Sequence, residues 1–266
     1  MRFFVSDVDK TLLRSDLTLS NFTKNVWNSF SKPITIATAR SYTGAKKLLK
    51  DLHFSKPLIL LDGAMIADPD GKIIHLSAIG KELGDEIIKY VEKTYDERPL
   101  VVGLEGNKER FLYPKRLNPH QQELLQNYKN DNRVLNIENL QALPQNLKIV
   151  YLGSGELLSK IEEDLKSLFP IETKLSKDPY QNCHFLTILH PHGDKAHALK
   201  KLEEIEGIEA KEVTVFGDSL NDIGMFEWAG VAVAVKNALP EVKERAHIVL
   251  ERTNDEDAIA HYLATL

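Results

Sequence analysis

Cysteine is almost absent from this chain: Cys183 is the only one among 266 residues. An intrachain disulfide is therefore impossible, and the cysteine pairs that usually build structural zinc sites are missing. No apolar run approaches the length that spans a bilayer, and the N-terminus begins directly with a strand instead of a basic and apolar signal segment. These gaps predict a cytoplasmic protein with no membrane partner. An excess of positive charge is also lacking. The formal charge of -5 gives no electrostatic reason to expect nucleic acid, so any phosphate recognition has to be local. Repeats and low-complexity segments are missing too. What remains, 42% hydrophobic and 27% charged, is ordinary for a globular protein, and the length suits one large domain or a core with an insertion.

The rest is organised around Asp7-Val8-Asp9-Lys10-Thr11, which follows the apolar run Phe3-Phe4-Val5. A short strand that breaks into two acids one residue apart delivers both carboxylates to the loop where parallel strands present ligands. Such a pair can divide a job, one carboxylate attacking an electrophile while the other donates and then removes a proton. Mutual repulsion would raise one pKa unless a cation sits between them, which predicts a divalent metal. The alternative is that Asp7 caps a turn and Asp9 is solvated, and it holds unless distant residues complete the site.

Distant residues of the right chemistry occur at regular intervals. Phe22, Val26, Trp27 and Phe30 repeat at helical spacing, Trp27 as core, before a second strand at Ile34-Thr35-Ile36-Ala37 that ends in Thr38-Ala39-Arg40. A helix is predicted from about Tyr42 to Leu52. Leu58-Ile59-Leu60-Leu61 reads as a strand covered on both faces, broken at Asp62-Gly63, with an edge hairpin turning at Asp68-Pro69-Asp70-Gly71. From about Ala78 the texture changes to a mixture of helices (around Leu83 to Val91, His120 to Tyr128, Glu156 to Phe169) and short strands (Leu100 to Leu104, Glu109 to Tyr113, Val134 to Ile137, Leu147 to Leu152, Cys183 to Leu189). This predicts an α+β insertion of about 100 residues. Its Arg98, Lys108, Arg110, Lys115 and Arg116 read either as a solvated face or as substrate contacts.

At Pro191-His192-Gly193-Asp194 the α/β texture returns, with Asp194 placed to cap a helix through Ala198, Leu199 and Leu202. Lys195 stands in its first turn, against the helix dipole, which argues for a local anion. A last site-bearing strand, Val213-Thr214-Val215-Phe216, breaks at Gly217-Asp218-Ser219-Leu220-Asn221-Asp222. Further strands are expected at Val231 to Val235 and Ile248-Val249, with helices near Leu239 to Ala246 and Asp255 to Leu266. His184, His190, His192 and His197 do not suggest zinc, since no cysteine pair accompanies them; rim or hinge positions fit them better, and His192 remains open to a substrate.

In a doubly wound sheet the strand ends carrying Asp7 and Asp9, Thr38, and Asp218 with Asn221 and Asp222 converge on one crevice, joined by Lys195. Carboxylates for a hard cation together with a hydroxyl, an amide and an ammonium for phosphoryl oxygens describe phosphoryl transfer. In order, these motifs resemble the four of the haloacid dehalogenase superfamily, over nearly the whole chain. The insertion, with Asp62-Gly63-Ala64-Met65-Ile66 before it, the phrase Gly193-Asp194-Lys195, and the stretch Ala229 to Ala238 resemble the Cof-type sugar-phosphate phosphatases with their α+β cap. The resemblance implies an α/β fold, with a doubly wound core of residues 1–77 and 189–266 and a cap of residues 78–188.

For the site, the resemblance implies Asp7 as nucleophile, Asp9 as acid and base, and Thr38, Arg40, Lys195 and Asn221 around the phosphoryl group. Mg²⁺ would be held by Asp7, the Asp9 carbonyl and Asp218, with Asp222 supporting the metal or Lys195. For Asn221 and Asp222, capping the following helix is the competing role. Three residues depart from the group's usual pattern: Lys10 and Ala39 stand where glycine is usual, and Asp62 where asparagine is common. The expectation is a Mg²⁺-dependent phosphatase of small phosphorylated metabolites, sugar phosphates first among them, acting as a monomer or weak dimer. A phosphomutase of the same fold and a non-catalytic phospho-metabolite sensor are the alternatives.

Overall fold

A computed structural model describes residues 3–177 and 183–266, so residues 1–2 of the expected core and 178–182 of the expected cap lie outside the described residues. The chain divides into two compact units, Met1–Leu76 with Asp194–Leu266, and Ser77–Gly193.

The first unit is built on parallel strands of mainly apolar sequence, with only Ser6, Thr35 and Thr214 as buried polar residues among them, as expected of strands covered on both faces. Five of them lie in the order Ile248–Val249, Val231–Ala234, Val213–Gly217, Phe3–Ser6, Ile34–Ile36, all parallel. A parallel bridge from Ala37 to Ile59 leads on to Leu58–Leu60, which pairs antiparallel with Met65–Ala67 and then Ile73–Leu76. The predicted edge hairpin is thus present, its turn closed by Asp68, which accepts from the backbone of Asp70 and Lys72 at 3.0 and 2.8 Å. Because Phe3–Ser6, Ile34–Ile36, Leu58–Leu60 and Val213–Gly217 run the same way, Asp7, Thr38, Asp62 and Asp218 emerge along one edge of the sheet.

Helices in this unit are shorter than periodicity predicts. Tyr42–Leu48 ends four residues before the expected Leu52, because Leu49 leaves helical geometry, although Leu49 and Leu52 are buried and extend the apolar stripe. At the C-terminus a 3-10 turn at Asn254–Glu256 and a left-handed Asp257 (φ 55°) precede the helix Ala258–Leu263, which therefore starts three residues late. Trp27 is core, as predicted, but Phe22 is largely exposed and lies against His261.

In the second unit the main sheet has the order Glu172–Lys177, His184–Leu189, Gln145–Gly153, Leu100–Glu105, Lys108–Pro114, Val134–Ile137, with Ile79–Gly80 pairing the start of Gln145–Gly153. All pairs are antiparallel except the last, Lys108–Pro114 with Val134–Ile137. Lys81–Tyr95 and Gly155–Leu168 bury Ile87, Ile88, Val91, Leu158, Ile161 and Leu165 in one core with Ile149, Tyr151 and Ile188 of the sheet. A smaller cluster of Leu100, Val150 and Leu152 is covered by Leu124 of the helix Pro119–Gln126. That helix is started by a capping box in which Asn118 and Gln121 satisfy each other's backbone N–H. The strands Glu172–Lys177 and Ile79–Gly80 have no counterpart in the sequence reading: one carries three charges in six residues, and the other is two residues long.

Candidate active site

Asp7 continues the strand Phe3–Ser6, and its N–H donates to the carbonyl of Phe216 at 2.9 Å, which ties it to the strand that ends at Gly217. Thr38 is fixed in the same manner by N–H to Ile59 O, and its own carbonyl accepts from Asp62 N, both at 2.9 Å. Lys195 opens the helix Lys195–Glu206, whose N-cap Asp194 accepts from His197 N at 2.9 Å. Gly63 (φ 114°) makes room for this cap, since a Cβ there would lie 2.1 Å from the Asp194 carbonyl oxygen. The loop after Leu58–Leu60 and the helix that carries Lys195 are therefore in backbone contact.

Lys195 Nζ, fully buried, donates to Asp7 Oδ1 and to Asp222 Oδ1, each at 2.6 Å. Asp222 is equally buried, and its other oxygen accepts from the N–H groups of Asp218 and Ser219 at 2.9 and 3.0 Å. Gly217 is needed beside it, because a Cβ there would meet the Asp222 carboxylate at 2.6 to 2.7 Å. Asp222 thus caps its turn and holds Lys195 at once. Asp218 accepts from Thr11 Oγ1 at 2.9 Å. One oxygen each of Asp7, Asp218 and Asp222 lie within 4.8 Å of one another.

Three buried carboxylates share one ammonium, and the titration behaviour reflects that imbalance. Burial, reinforced by Asp222 and Asp218, lifts the Asp7 carboxyl well above its ordinary value despite Lys195. Asp218 is raised to about 6 by burial and then by Asp222. Burial opposes charge on Lys195, but Asp222 and Asp7 outweigh it and hold the ammonium well above its usual pKa. Three buried carboxylates whose oxygens gather within 4.8 Å of one another, with one ammonium beside them, form a set of hard oxygen donors that fits a small divalent cation such as Mg²⁺.

The decisive comparison covers almost every residue: positions 4–263 match the family described as haloacid dehalogenase-like hydrolase. This chain belongs to that family. Within the family it is a Cof-type phosphatase. It is 27% identical, over all of its length and 98% of the relative's, to the 5-amino-6-(5-phospho-D-ribitylamino)uracil phosphatase YwtE of Bacillus subtilis. It is 26% identical to the HMP-PP phosphatase of Serratia proteamaculans, over 98% of this chain and 94% of that one. The fold matches that of the HAD subclass IIB sugar phosphatase BT4131 with a TM-score of 0.77 over 100% of this chain and 98% of that one, at 20% identity. Hydrolases of this family generally use Mg²⁺.

Among the expected site residues, Asp7, Lys195, Asp218 and Asp222 are in direct contact or share the carboxylate cluster. The Asp9 side chain points elsewhere, to a two-fold pairing with Arg40: Arg40 Nε to Asp9 Oδ2 at 2.8 Å and Nη2 to Oδ1 at 2.5 Å. Asn221 donates from Nδ2 to Asp62 Oδ1 at 2.9 Å and accepts from Ser219 Oγ at 2.6 Å. Thr11 and Asp62 went unassigned in the sequence, where Thr11 stood in the first motif without a role and Asp62 only as a departure. Of the other departures, Lys10 sits in the left-handed region (φ 59°), its carbonyl held by Asn237 Nδ2 at 2.8 Å, whereas Ala39 has no positive φ and so needs no glycine. In the second unit His192 N donates to His190 Nδ1 at 3.1 Å, and in the first His197 Nδ1 lies 2.7 Å from Asp194 Oδ2.

Proposed function

We propose that the chain is a cytoplasmic, Mg²⁺-dependent phosphatase that hydrolyses small phosphorylated metabolites through an aspartyl-phosphate on Asp7. The observation that carries this reading is the buried Lys195 bridging Asp7 and Asp222 beside Asp218, at the ends of parallel strands. Asp7, the Asp9 carbonyl and Asp218 would hold the ion, with Asp222 adjoining. Bound there, a divalent cation supplies charge neutralisation for the phosphoryl oxygens and for the crowded carboxylates.

The protein's own groups account for two displacements at phosphorus. Asp7 attacks the phosphoryl group, the bond to the ester oxygen breaks, and Asp9 delivers its proton to the departing alkoxide. Asp9, now a carboxylate, takes a proton from water as that water attacks the aspartyl-phosphate, releasing inorganic phosphate and restoring Asp7. Lys195 donates an ammonium N–H to Asp7 Oδ1 and so holds the nucleophile, while its positive charge stabilises the negative charge of the phosphoryl group under attack and Thr38 and Asn221 orient the phosphoryl oxygens. Asp222 acts through Lys195.

Hydrolysis is favoured over mutase chemistry by the second unit. A mutase needs cations to hold a second phosphate while the sugar turns over. Arg98 is engaged by Glu92 and Asp96, Arg110 by Glu105, Arg116 by Asp96, and Arg133 by Glu109 and Asp131. Sugar phosphates head the substrate class, and the compounds named for the two relatives belong in the same trial. A panel of metabolite phosphates with p-nitrophenyl phosphate, read as inorganic phosphate with and without chelator, tests the reading. Turnover undiminished by excess chelator, or hexose 6-phosphate accumulating from hexose 1-phosphate without free phosphate, would overturn it.

A further inference from the structure

We propose that Arg40 is a positioning residue for Asp9, acting through that carboxylate and not as a ligand of the phosphoryl group; the inference rests on the reading of Asp9 as acid and base. The planar guanidinium meets the carboxylate as a fork, Nε on Oδ2 at 2.8 Å and Nη2 on Oδ1 at 2.5 Å. A fork of parallel N–H groups fixes the plane of the carboxylate as well as its distance, which a single ammonium contact does not do. Nε and Nη2 both donate to Asp9, so that edge of Arg40 is committed to the carboxylate.

Both ends of the pair are anchored through backbone. Arg40 N donates to Thr38 Oγ1 at 3.2 Å, Arg40 O accepts from Leu61 N at 2.9 Å, and Ser41 begins the next helix by accepting from Gly44 N at 3.3 Å. On the other side Asp9 precedes Lys10, whose left-handed turn is pinned by Asn237 at 2.8 Å. The pair therefore joins two loops whose positions are already set, and its geometry follows from theirs.

Stability is not what the pair supplies. Its side chains are 29% and 38% exposed, and ion pairs of that exposure contribute only about 0–1 kcal/mol. What it supplies is orientation. A general base works only within about 2.6–3.2 Å of the proton it takes, and a misplacement of about 1 Å costs on the order of 100-fold in rate. The fork leaves each Asp9 oxygen a further lone pair and fixes the plane in which those lone pairs are presented, the orientation on which the proton transfers of the scheme above depend.

Steady-state kinetics of the full chain with Mg²⁺, on a hexose phosphate and on p-nitrophenyl phosphate, separate the roles. Arg40→Ala is expected to lower kcat by roughly 10- to 100-fold with KM within about threefold of the parent. Arg40→Lys, which keeps the charge and loses the fork, is expected not to restore it. Added to Asp9→Asn, Arg40→Ala is expected to reduce kcat by less than about twofold more, because its target is already gone. A KM raised about tenfold at unchanged kcat, full rescue by lysine, or an Arg40→Ala loss as large in the Asp9→Asn background as in the parent would each overturn the proposal. A parent chain that releases phosphate from neither substrate would instead fell the phosphatase reading and this inference with it.

Discussion

Replacing Asp222 by asparagine tests the link between fold and site, because both oxygens of that fully buried carboxylate face donors. Oδ1 receives Lys195 Nζ at 2.6 Å, and Oδ2 receives the N–H groups of Asp218 and Ser219 at 2.9 and 3.0 Å. An amide has one acceptor end and one donor end, so either rotamer sets donor against donor. If the amide NH₂ faces the backbone, the buried N–H of Asp218 and the partly buried N–H of Ser219 are orphaned, at about 1–3 kcal/mol each with the second at the low end. If it faces Lys195, the buried pair is broken, at about 3–5 kcal/mol. The cheaper choice therefore leaves a loss of about 3 kcal/mol, a large share of the 5–15 kcal/mol or so that typically holds a domain together. Trp27 and Trp228 are the only tryptophans and both lie in the first unit, so tryptophan fluorescence during urea unfolding reports on that unit alone. We expect the midpoint to fall with an unchanged slope, and p-nitrophenyl phosphate turnover to fall with the displaced Lys195. A variant within about 1 kcal/mol of the parent would refute the reasoning, since that is the scale of an exposed pair.

Three further outcomes follow from particular residues. Lys10→Gly should relieve the left-handed strain at φ 59° and raise the stability of the first unit by up to about 1 kcal/mol, and a loss of that size would show that the lysine side chain contributes more than its backbone costs. Tyr151→Phe should leave the second unit as stable or gain about 1 kcal/mol, because the buried hydroxyl has no hydrogen-bond partner among the described residues; thermal unfolding by circular dichroism checks it, and a loss above about 1 kcal/mol would reveal a bond to that hydroxyl. Asp218, raised to about 6 in the metal-free site, binds its proton more tightly folded than unfolded, so its contribution is present below about pH 4 and lost as the pH climbs through 6. Relative to Asp218→Asn in chelator, the parent should therefore lose up to about 3 kcal/mol across that window, and a parallel pH dependence of the two proteins would contradict it.

Much of the first unit was legible because its strands are short runs dominated by apolar residues, Phe3-Phe4-Val5, Leu58 to Leu60 and, interrupted only by Thr214, Val213 to Phe216, each followed closely by polar residues. Burial on both faces favours apolar residues along a parallel strand, so the run and its break mark the strand and its site end together. Lys195 was legible for a different reason, an ammonium at the wrong end of a helix dipole, and its partners are the buried Asp7 and Asp222. Glu172–Lys177 was not legible because an edge strand half exposed to solvent carries charges in place of an apolar pattern. Nor was the partner of Asp9: Arg40 lies 31 positions away, and only the folded loops set the direction of its side chain. The same holds for Asp62 and Asn221, 159 positions apart, where a departure from the family pattern accepts a hydrogen bond from the amide that the resemblance places beside the phosphoryl group.

The central claim is that Asp7 becomes phosphorylated, and trapping that species tests it most directly. Asp9→Asn removes the group that would hydrolyse the aspartyl-phosphate, so mixing this variant with Mg²⁺ and p-nitrophenyl phosphate and quenching in acid should accumulate it. Peptide mass spectrometry is predicted to find the phosphoryl group on the N-terminal peptide, at Asp7, together with a burst of p-nitrophenol of about one equivalent per chain. An unmodified Asp7 in a protein that has released that burst, or a phosphoryl group on any other residue, would contradict the account.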